Sequence, residues 1–368
     1  MQKYLSSYIN SRDNNFNLLR FIAASLVLYS HSYALTQNAG EPLAALISMS
    51  YGAVAVDLFF ITSGLLVTKS LFDRKDIVFF VWSRILRIYP GLIVAVLFCV
   101  FVVGVYYTTL PLDEYFKHPD IYQFLSRNFT LLNGVYFNLP GVFENNPWKN
   151  AVNGSLWTLP REIHMYCVVA IVGFLLYLRP FVISEQQAKY AFSIIFLISI
   201  GWFFFHFAFA FPEGNYHSHL SRFSTLFLSG AVFYMLADRI VLSLHFFLIA
   251  IIVLVLISLS NHHSVFFVSY FLLIGYIILY LAYVPKGVIR TYNKFGDYSY
   301  GMYIYAFPVQ QSIAASIPGI PVSRMAVLSF IITLVLAVLS WHCVEKPMLA
   351  KKHVLSKVFN KMKPKRIG

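Results

Sequence analysis

The sequence predicts an all-α integral membrane protein, a polytopic bundle of about ten transmembrane helices with both termini in the cytoplasm. Of its 368 residues, 59% are hydrophobic and only 12% are charged, whereas soluble domains carry about 25% charged residues. The apolar residues fall into long runs, and the basic residues collect in every second connection between them. A chain this apolar is expected to cross the membrane many times.

The apolar runs predict the positions of the helices, since a helix needs roughly 20 apolar residues to cross the hydrocarbon core. The runs have their centres near Ala24, Leu58, Leu97, Val168, Ile198, Gly230, Ile251, Leu273, Tyr305 and Leu334. No clear small-residue cleavage site follows the first run, so we expect a retained helix rather than a signal peptide. The longest connection, residues 110–153, is polar and aromatic, and it predicts an ordered loop or a short interfacial helix.

The basic residues predict the orientation. The first and seventh connections, "TQNAGEPLAA" and "SNHHS", contain no Lys or Arg, whereas the even-numbered connections are basic. The long third connection is the exception, and the rule tolerates a mixed-charge loop outside the cytoplasm. This alternation is how a multispan protein marks its cytoplasmic side. The net charge of +13 is therefore assigned to orientation, and we expect no nucleic-acid partner. We predict one transmembrane domain over residues 1–350 and a basic cytoplasmic tail over residues 351–368.

The first apolar run, "LLRFIAASLVLYSHSY", carries Arg20 near one end and His31 near the other. The two are eleven residues apart, close to three helical turns, so they share one face and lie about 16 Å apart along the axis. Polar groups inside a span usually face a bundle interior or a wet cavity. Histidine exchanges protons near neutral pH, and arginine binds phosphate or carboxylate. Snorkelling of Arg20 and a helix-to-helix hydrogen bond from His31 are the alternatives.

The second helix, within "AVDLFFITSGLLVTKSL", carries Asp57 in an apolar setting, with Ser63 and Gly64 further along. An unpaired carboxylate inside a span is costly, which makes Asp57 a functional candidate. The Ser63–Gly64 pair is typical of helix packing through small residues, and a role in ligand binding is the alternative.

The stretch "VWSRILRIYP" places Arg84 and Arg87 on one helix face at the cytoplasmic edge. The positive-inside rule explains a pair of arginines there. The sharper interpretation is a cradle for an anionic cytoplasmic ligand. We expect Pro90 to open the third span, where the missing N–H costs nothing.

Later spans carry further candidates. "NGSLWTLPREIHMY" opens the fourth span and puts Glu162 and Tyr166 on one face, four residues apart, after an ordinary interfacial Trp157. "SYGMYIYAFPVQQ" brings Tyr303 and Pro308 into the ninth span. A proline-broken helix with polar groups often lines a cavity.

The remaining polar groups include Glu345, which ends the tenth span within "SWHCVEKP". The three cysteines, Cys99, Cys167 and Cys343, lie in apolar runs or at their ends, without CxxC or Cys/His spacing. We interpret them as small buried hydrophobic residues, and we expect neither a disulfide nor a metal site.

Together these motifs resemble the acyltransferase 3 family of integral membrane O-acyltransferases, over nearly the whole chain and in the family's order. Arg20 and His31 match its Arg-x10-His pattern, "VDLFFITSGLL" its second-helix signature, and "RILRIYP" its RxxRIxP stretch. "GSLWTLPREIHMY" matches SLWxLxxExxxY, and "YSYGMYIYAFPV" and "VEKP" match the late segments. In one departure, Ala306 stands where many members have a histidine, two residues before the proline of the ninth helix.

The resemblance implies an acyl-CoA donor, usually acetyl-CoA, bound from the cytoplasm of a bacterium whose inner membrane holds the protein. The implied acceptor is a sugar hydroxyl of a surface polysaccharide or lipid-linked glycan on the other side, with lipopolysaccharide O-antigen expected on family grounds. Membrane lipids surround the protein, and no metal is implied.

The resemblance also implies roles for the candidates. Arginines hold the CoA phosphates, and His31 acts as general base on the hydroxyl or carries the acetyl group itself. Glu162, Tyr166 or Asp57 orients the imidazole, or the Tyr166 hydroxyl polarises the thioester carbonyl. The catalytic candidates are His31, Arg20, Glu162 and Tyr166; the donor-binding candidates are Arg84, Arg87, Ser63 and Gly64; the further candidates are Asp57, Trp157, Tyr303 and Glu345.

Two other classes of function fit part of the pattern. A transporter or flippase of an anionic or lipid-linked glycan also needs intramembrane Arg, His and Asp side chains and a proline-broken helix, but the sequence shows no inverted repeat of these features. A receptor or scaffold without chemistry predicts that His31→Ala leaves function intact.

Overall fold

Long helices occupy all the predicted apolar runs in the computed structural model, which describes residues 3–11, 13–38, 40–177, 184–210, 220–260 and 262–354, without the side chains of 208–210. The helices are α1 (Phe16–Leu35), α2 (Tyr51–Arg74), α3 (Ile77–Phe98), α4 (Leu159–Tyr177), α5 (Glu185–Ala210), α6 (Leu220–Met235), α7 (Leu244–Leu259), α8 (His263–Tyr283), α9 (Ser299–Ser316) and α10 (Val322–Ser340). Each predicted centre lies inside one of them.

Seven of the described helices are long and apolar enough to cross a membrane, namely α1–α5, α8 and α10 with their continuations. This confirms a polytopic all-α membrane protein, while the predicted count of ten spans is larger than the seven that length and composition support. Helices α6 and α7 have only 16 residues each, and α9 carries the buried amides of Gln310 and Gln311. Most of the predicted tail, residues 355–368, lies outside the described residues.

Two prolines differ from their predicted positions. Helix α3 begins at Ile77, where the Asp76 side chain accepts the backbone N–H of Phe79 at 3.0 Å, so Pro90 lies inside the helix and does not open it. Helix α9 likewise runs unbroken through Pro308. Membrane helices tolerate an internal proline because neighbouring groups satisfy the freed carbonyl.

Helix α3 also continues beyond its regular part, through a π-helical segment, Cys99–Gly104, to Tyr107. The long connection that follows contains two short helices, Leu112–Lys117 and Pro119–Thr130, before an irregular stretch that ends at a 3₁₀ turn, Gly154–Thr158. The connection thus contains both of the predicted alternatives, a loop and short helices. The interfacial position of a helix stays a prediction.

Helices α2 and α6 have the most extensive contact among the described helices. A Cβ added at Gly64 would lie 1.8 Å from the carbonyl oxygen of Phe227, and one added at Gly230 would lie 2.1 Å from that of Ile61. Small residues of this kind let membrane helices approach backbone to backbone. Helix α1 packs against α2 on one side and against α9 on the other, and α9 packs in turn against α10. Helix α1 therefore lies between the α2–α6 pair and α9.

The basic connections meet at one end of the bundle. Lys75, between α2 and α3, pairs with Glu185 at the start of α5, and Arg290, between α8 and α9, pairs with Asp13 near the N-terminus. The N-terminal segment hydrogen-bonds to the connection after α6. At the other end, the connection after α1 bonds to the long connection after α3. The alternation of basic and non-basic connections therefore corresponds to two ends of the folded bundle.

Candidate active site

Five helices surround a cavity of about 750 Å³, open space at its mouth included, which we call the arginine cavity. Helix α1 contributes one arginine to its wall and α3 contributes two, while α2, α4 and α9 supply hydroxyl, carboxyl and aromatic groups. The lining residues that carry polar groups are Arg20, Ser63, Arg84, Arg87, Thr158, Glu162, Tyr166, Ser299, Tyr300 and Tyr303. Seven of the predicted site residues are therefore in one place.

Asp297, in the connection before α9, lies between two of these arginines. Its Oδ2 accepts hydrogen bonds from Arg20 Nη1 at 3.1 Å and from Arg87 Nη2 at 2.7 Å, and its Oδ1 accepts one from Ser299 Oγ at 2.5 Å. Arg87 Nη1 also lies 3.7 Å from Glu345 Oε2. Burial by itself raises the pKa of the Asp297 carboxyl, but Arg87, Arg20 and Ser299 together lower it to about 2. The carboxylate therefore stays ionised at neutral pH and holds the two guanidinium groups side by side.

Arg84 differs from the other two arginines of the cavity. Its guanidinium carbon lies 5.7 Å from the centroid of the Tyr166 ring, a cation–π distance. No described carboxylate lies within ion-pair distance of it. Arg84 is therefore the arginine whose charge is available to an anionic ligand without displacing a protein carboxylate.

Glu162, Tyr166 and Ser63 form a hydrogen-bonded group on the wall of the arginine cavity. Tyr166 donates its hydroxyl to Glu162 Oε1, the contact expected from their four-residue spacing on α4. Ser63 Oγ on α2 lies 3.3 Å from both the Glu162 carboxylate and the Tyr166 hydroxyl. The group ties α4 to α2 and presents oxygen atoms to the cavity.

A second cavity, which we call the histidine cavity, lies beside the first. It is lined by Val27, Ser30, His31, Ser50, Gly52, Ala53, Val56, Trp157, Arg222, Phe223 and Tyr303. The imidazole of His31 packs edge-on against Phe307, with ring centroids 5.3 Å apart. Its Nδ1 is buried and has no hydrogen-bond partner among the described residues. Glu162, Tyr166 and Asp57, the groups expected to orient the imidazole, instead form hydrogen bonds with other residues.

The two cavities share part of one wall, since Val56 and Tyr303 line both. The Tyr303 hydroxyl lies 2.6 Å from Thr158 Oγ1, which fixes its side chain at the boundary. Because Arg20 and His31 lie on the same helix, about 16 Å apart along its axis, α1 runs along both cavities. An elongated ligand bound to the arginines at one end can therefore reach toward His31 at the other.

Asp57 is paired with a residue that the sequence analysis did not single out. Arg222 Nη2 on α6 donates to Asp57 Oδ2 at 2.5 Å, and the Tyr270 hydroxyl on α8 donates to the same oxygen at 2.9 Å. Asp57 is 0% exposed and Arg222 is 1% exposed. Their pairing explains how a carboxylate is tolerated in this apolar helix.

Two other predicted positions lie away from both cavities. Gly64 faces the backbone of Phe227 on α6 and is not among the residues that line the arginine cavity. This contact agrees with the helix-packing role indicated by the sequence, and donor binding by Gly64 stays a prediction. Ala306 is buried against Ala24 and Leu28 of α1. A side chain at that position packs between helices rather than lining either cavity.

Asp297 and Arg222 are the important site residues that sequence analysis missed. Each had a signal: Asp297 is an acid in a basic connection, and Arg222 is a cation inside the apolar run around Gly230. The described part of the chain contains no group of three or more His, Cys, Asp or Glu side chains that could hold a metal ion.

Comparisons with known proteins identify the family of the chain. The acyltransferase 3 family, described as an acyltransferase domain, matches residues 13–342. An "O-acetyl transferase" of Shigella phage Sf6 is 28% identical over 351 residues, which cover 92% of this chain and 97% of the relative. "Nodulation protein 10" of Rhizobium leguminosarum bv. viciae is 29% identical over 164 residues, 43% of this chain and 44% of that protein. No solved structure matches the chain. The family match spans both cavities and all the arginines around them, and the chain therefore belongs to the acyltransferase 3 family and is an acyltransferase.

Proposed function

We propose that the chain is an O-acetyltransferase of a bacterial inner membrane, which moves an acetyl group from cytoplasmic acetyl-CoA to a sugar hydroxyl of a surface polysaccharide. Lipopolysaccharide O-antigen is the first acceptor to test. The observation that carries the proposal is the pair of adjoining cavities along α1, with arginines in one and His31 in the other. The Shigella phage relative is named for O-acetyl transfer. The transporter considered from the sequence gains no support from the comparisons.

The arginine cavity suits the phosphates of an acyl-CoA. Arg84 has no carboxylate partner in the described part of the chain, and Arg87 and Arg20 share Asp297. Phosphates bind arginine through paired, charge-assisted hydrogen bonds, so they compete with Asp297 for the two guanidinium groups. The position of these arginines near the basic connections, predicted to be cytoplasmic, agrees with a donor that comes from that side.

The histidine cavity suits the transfer step. The narrow pantetheine arm passes Tyr303 and Val56, which border both cavities, and brings the thioester toward His31. The acceptor hydroxyl oxygen attacks the thioester carbonyl carbon while His31 takes the hydroxyl proton. The carbon–sulfur bond then breaks, the ester of the sugar remains, and His31 returns the proton to the leaving thiolate. The Glu162–Tyr166–Ser63 group lies on the donor side and stabilises the wall there.

A vesicle assay tests the proposal. Wild type, His31→Ala and His164→Ala are placed in membrane vesicles with glycan at matched expression, and labelled acetyl-CoA is supplied on the cytoplasmic face. His164 is an exposed histidine on α4 and serves as the matched control. We expect wild type and His164→Ala to label the glycan, and His31→Ala to bind CoA without transferring label. Failure of the wild type to label any glycan or release thiol contradicts the proposed function.

The same assay separates direct transfer from a covalent route. If His31 carries the acetyl group itself, wild-type protein incubated without acceptor retains label after denaturation, and His31→Ala retains none. We propose direct transfer, which requires one covalent step fewer, so no acetylated protein is expected. Equal glycan labelling by wild type and His31→Ala removes His31 from the mechanism.

A further inference from the structure

A buried ion pair joins α2, α6 and α8 at the edge of the histidine cavity. Arg222 donates to Asp57, and Tyr270 donates to the same carboxylate oxygen. All three side chains are almost wholly buried, with exposed fractions of 1%, 0% and 4%. The aromatic rings of Phe223 and Phe267 flank the guanidinium at 5.9 and 5.6 Å. The arginine is therefore held in one position by charge, hydrogen bonding and packing.

Arg222 also lines the histidine cavity together with His31. Among the described residues that line this cavity, Arg222 is the permanent cation, and the others are apolar, hydroxyl-bearing, or His31 itself. Arg222 thus borders the space in which the proposed transfer takes place.

Stability alone is a poor reason for such a pair. A buried ion pair can usually be replaced by neutral side chains of similar size without loss of stability, because two charges must be taken out of water to form it. Helices α2 and α6 are already in backbone contact through Gly64 and Gly230, so they need no ion pair to hold them together. Charged groups kept inside a membrane bundle at this cost usually mark function.

We propose that Arg222 stabilises the oxyanion that forms on the thioester carbonyl during acyl transfer, and that Asp57 and Tyr270 are the positioning residues that aim it. This inference rests on the proposed function. When the acceptor oxygen bonds to the carbonyl carbon, the electron pair of the C=O π bond moves to the carbonyl oxygen, and the hydroxyl proton passes to His31. When the intermediate collapses, that pair re-forms C=O, the C–S bond breaks, and the thiolate takes the proton from His31.

The partners of Arg222 suit it to a transient charge. An arginine that is paired with a carboxylate binds a permanent anion weakly, because Asp57 already neutralises its charge. A fixed dipole in a site that excludes water is effective toward charge that develops in the transition state, since it needs no reorganisation. Tyr270 donates to the same Asp57 oxygen. Part of the carboxylate charge is therefore satisfied by Tyr270, and Asp57 neutralises Arg222 less completely.

The test uses a double variant, Asp57→Asn with Arg222→Met, which removes both charges and leaves no unpaired ion. Wild type, the double variant, Arg222→Lys and the exposed-arginine control Arg324→Met are compared in native-lipid vesicles with labelled acetyl-CoA. Binding of CoA reports that each variant is folded. Removal of an oxyanion-stabilising group typically lowers kcat by 10²–10³.

We expect the double variant to bind CoA with an unchanged Kd, to keep the KM for acetyl-CoA within about twofold, and to lose about 100-fold in kcat. Arg222→Lys, which keeps the charge, should recover part of that loss, and Arg324→Met should match wild type. A double variant that binds CoA and transfers acetyl at the wild-type rate overturns the role of Arg222. So does a loss confined to CoA affinity. Absence of transfer by the wild type itself contradicts the proposed function instead, and the two failures are therefore distinguishable.

Discussion

Replacing Asp297 by asparagine removes the carboxylate that lies between Arg20 and Arg87 and keeps the size of the side chain. In the wild type, Asp297 Oδ2 accepts hydrogen bonds from Arg20 at 3.1 Å and from Arg87 at 2.7 Å. The substitution removes the negative charge of this carboxylate. Its side chain is only 11% exposed, so solvent screens these contacts weakly. We expect Asp297→Asn to lower the free energy of unfolding, since both arginines lose their shared counter-charge.

The pKa of Asp297 sets the size of the effect. The pKa of this carboxyl falls from its ordinary value of 3.8 to about 2. A shift of one unit corresponds to about 1.4 kcal/mol of differential interaction, so the ionised carboxylate contributes about 2 kcal/mol at neutral pH. A group whose folded pKa is lowered contributes this stability above its unfolded pKa and loses it as the pH falls through the folded value. The contribution is therefore complete above about pH 5 and declines between about pH 4 and pH 2.

Unfolding of the protein by guanidinium chloride in detergent micelles measures the contribution of Asp297 to the free energy of unfolding. Wild type, Asp297→Asn and Asp238→Asn are unfolded at pH 7, 5, 4 and 3; Asp238 is an exposed carboxylate in the connection after α6 and serves as the control. We expect a difference of about 2 kcal/mol between wild type and Asp297→Asn at pH 7 that narrows by pH 3, and no difference for Asp238→Asn. A difference that is absent at pH 7, or that stays constant to pH 3, refutes the reasoning.

Two further substitutions test the donor site and the helix packing. Arg87→Gln removes one guanidinium group from the arginine cavity. Loss of one charge-assisted contact to phosphate should raise the KM for acetyl-CoA by about tenfold or more, and the exposed-residue variant Arg324→Gln serves as the control. An unchanged KM would exclude Arg87 from donor binding. Gly64→Ala places a Cβ 1.8 Å from the carbonyl oxygen of Phe227, whereas Gly201→Ala on α5 meets no atom within 4 Å. We expect Gly64→Ala to lower the thermal unfolding midpoint by several degrees, as overpacking of about 1–3 kcal/mol does, and Gly201→Ala to leave it unchanged. Equal midpoints for Gly64→Ala and wild type would show that α2 and α6 can move apart without cost.

The positions of the helices could be predicted from the sequence because the signal is local. A run of about 20 apolar residues is sufficient to specify a membrane helix, and every predicted centre lies in one. Spacing along a helix is local as well, so the shared face of Glu162 and Tyr166 and their hydrogen bond followed from the four-residue interval. The ends of the helices were less predictable. The apolar run after Pro90 suggested a helix start there, whereas the Asp76 cap places the start more than three turns earlier, at Ile77.

The sequence by itself therefore determined the all-α membrane class, the helix positions, the family and the arginine and histidine candidates. Only the tertiary structure decided which charge meets which. Asp297 reaches Arg20 across 277 residues of chain, and Arg222 reaches Asp57 across 165, and no periodicity along one helix records a partner on another. The tertiary structure also decided that Ser63 faces a cavity while its neighbour Gly64 faces a backbone. Adjacent residues on a helix point about 100° apart, and the packing of α2 against α6 determines which of the two faces α6.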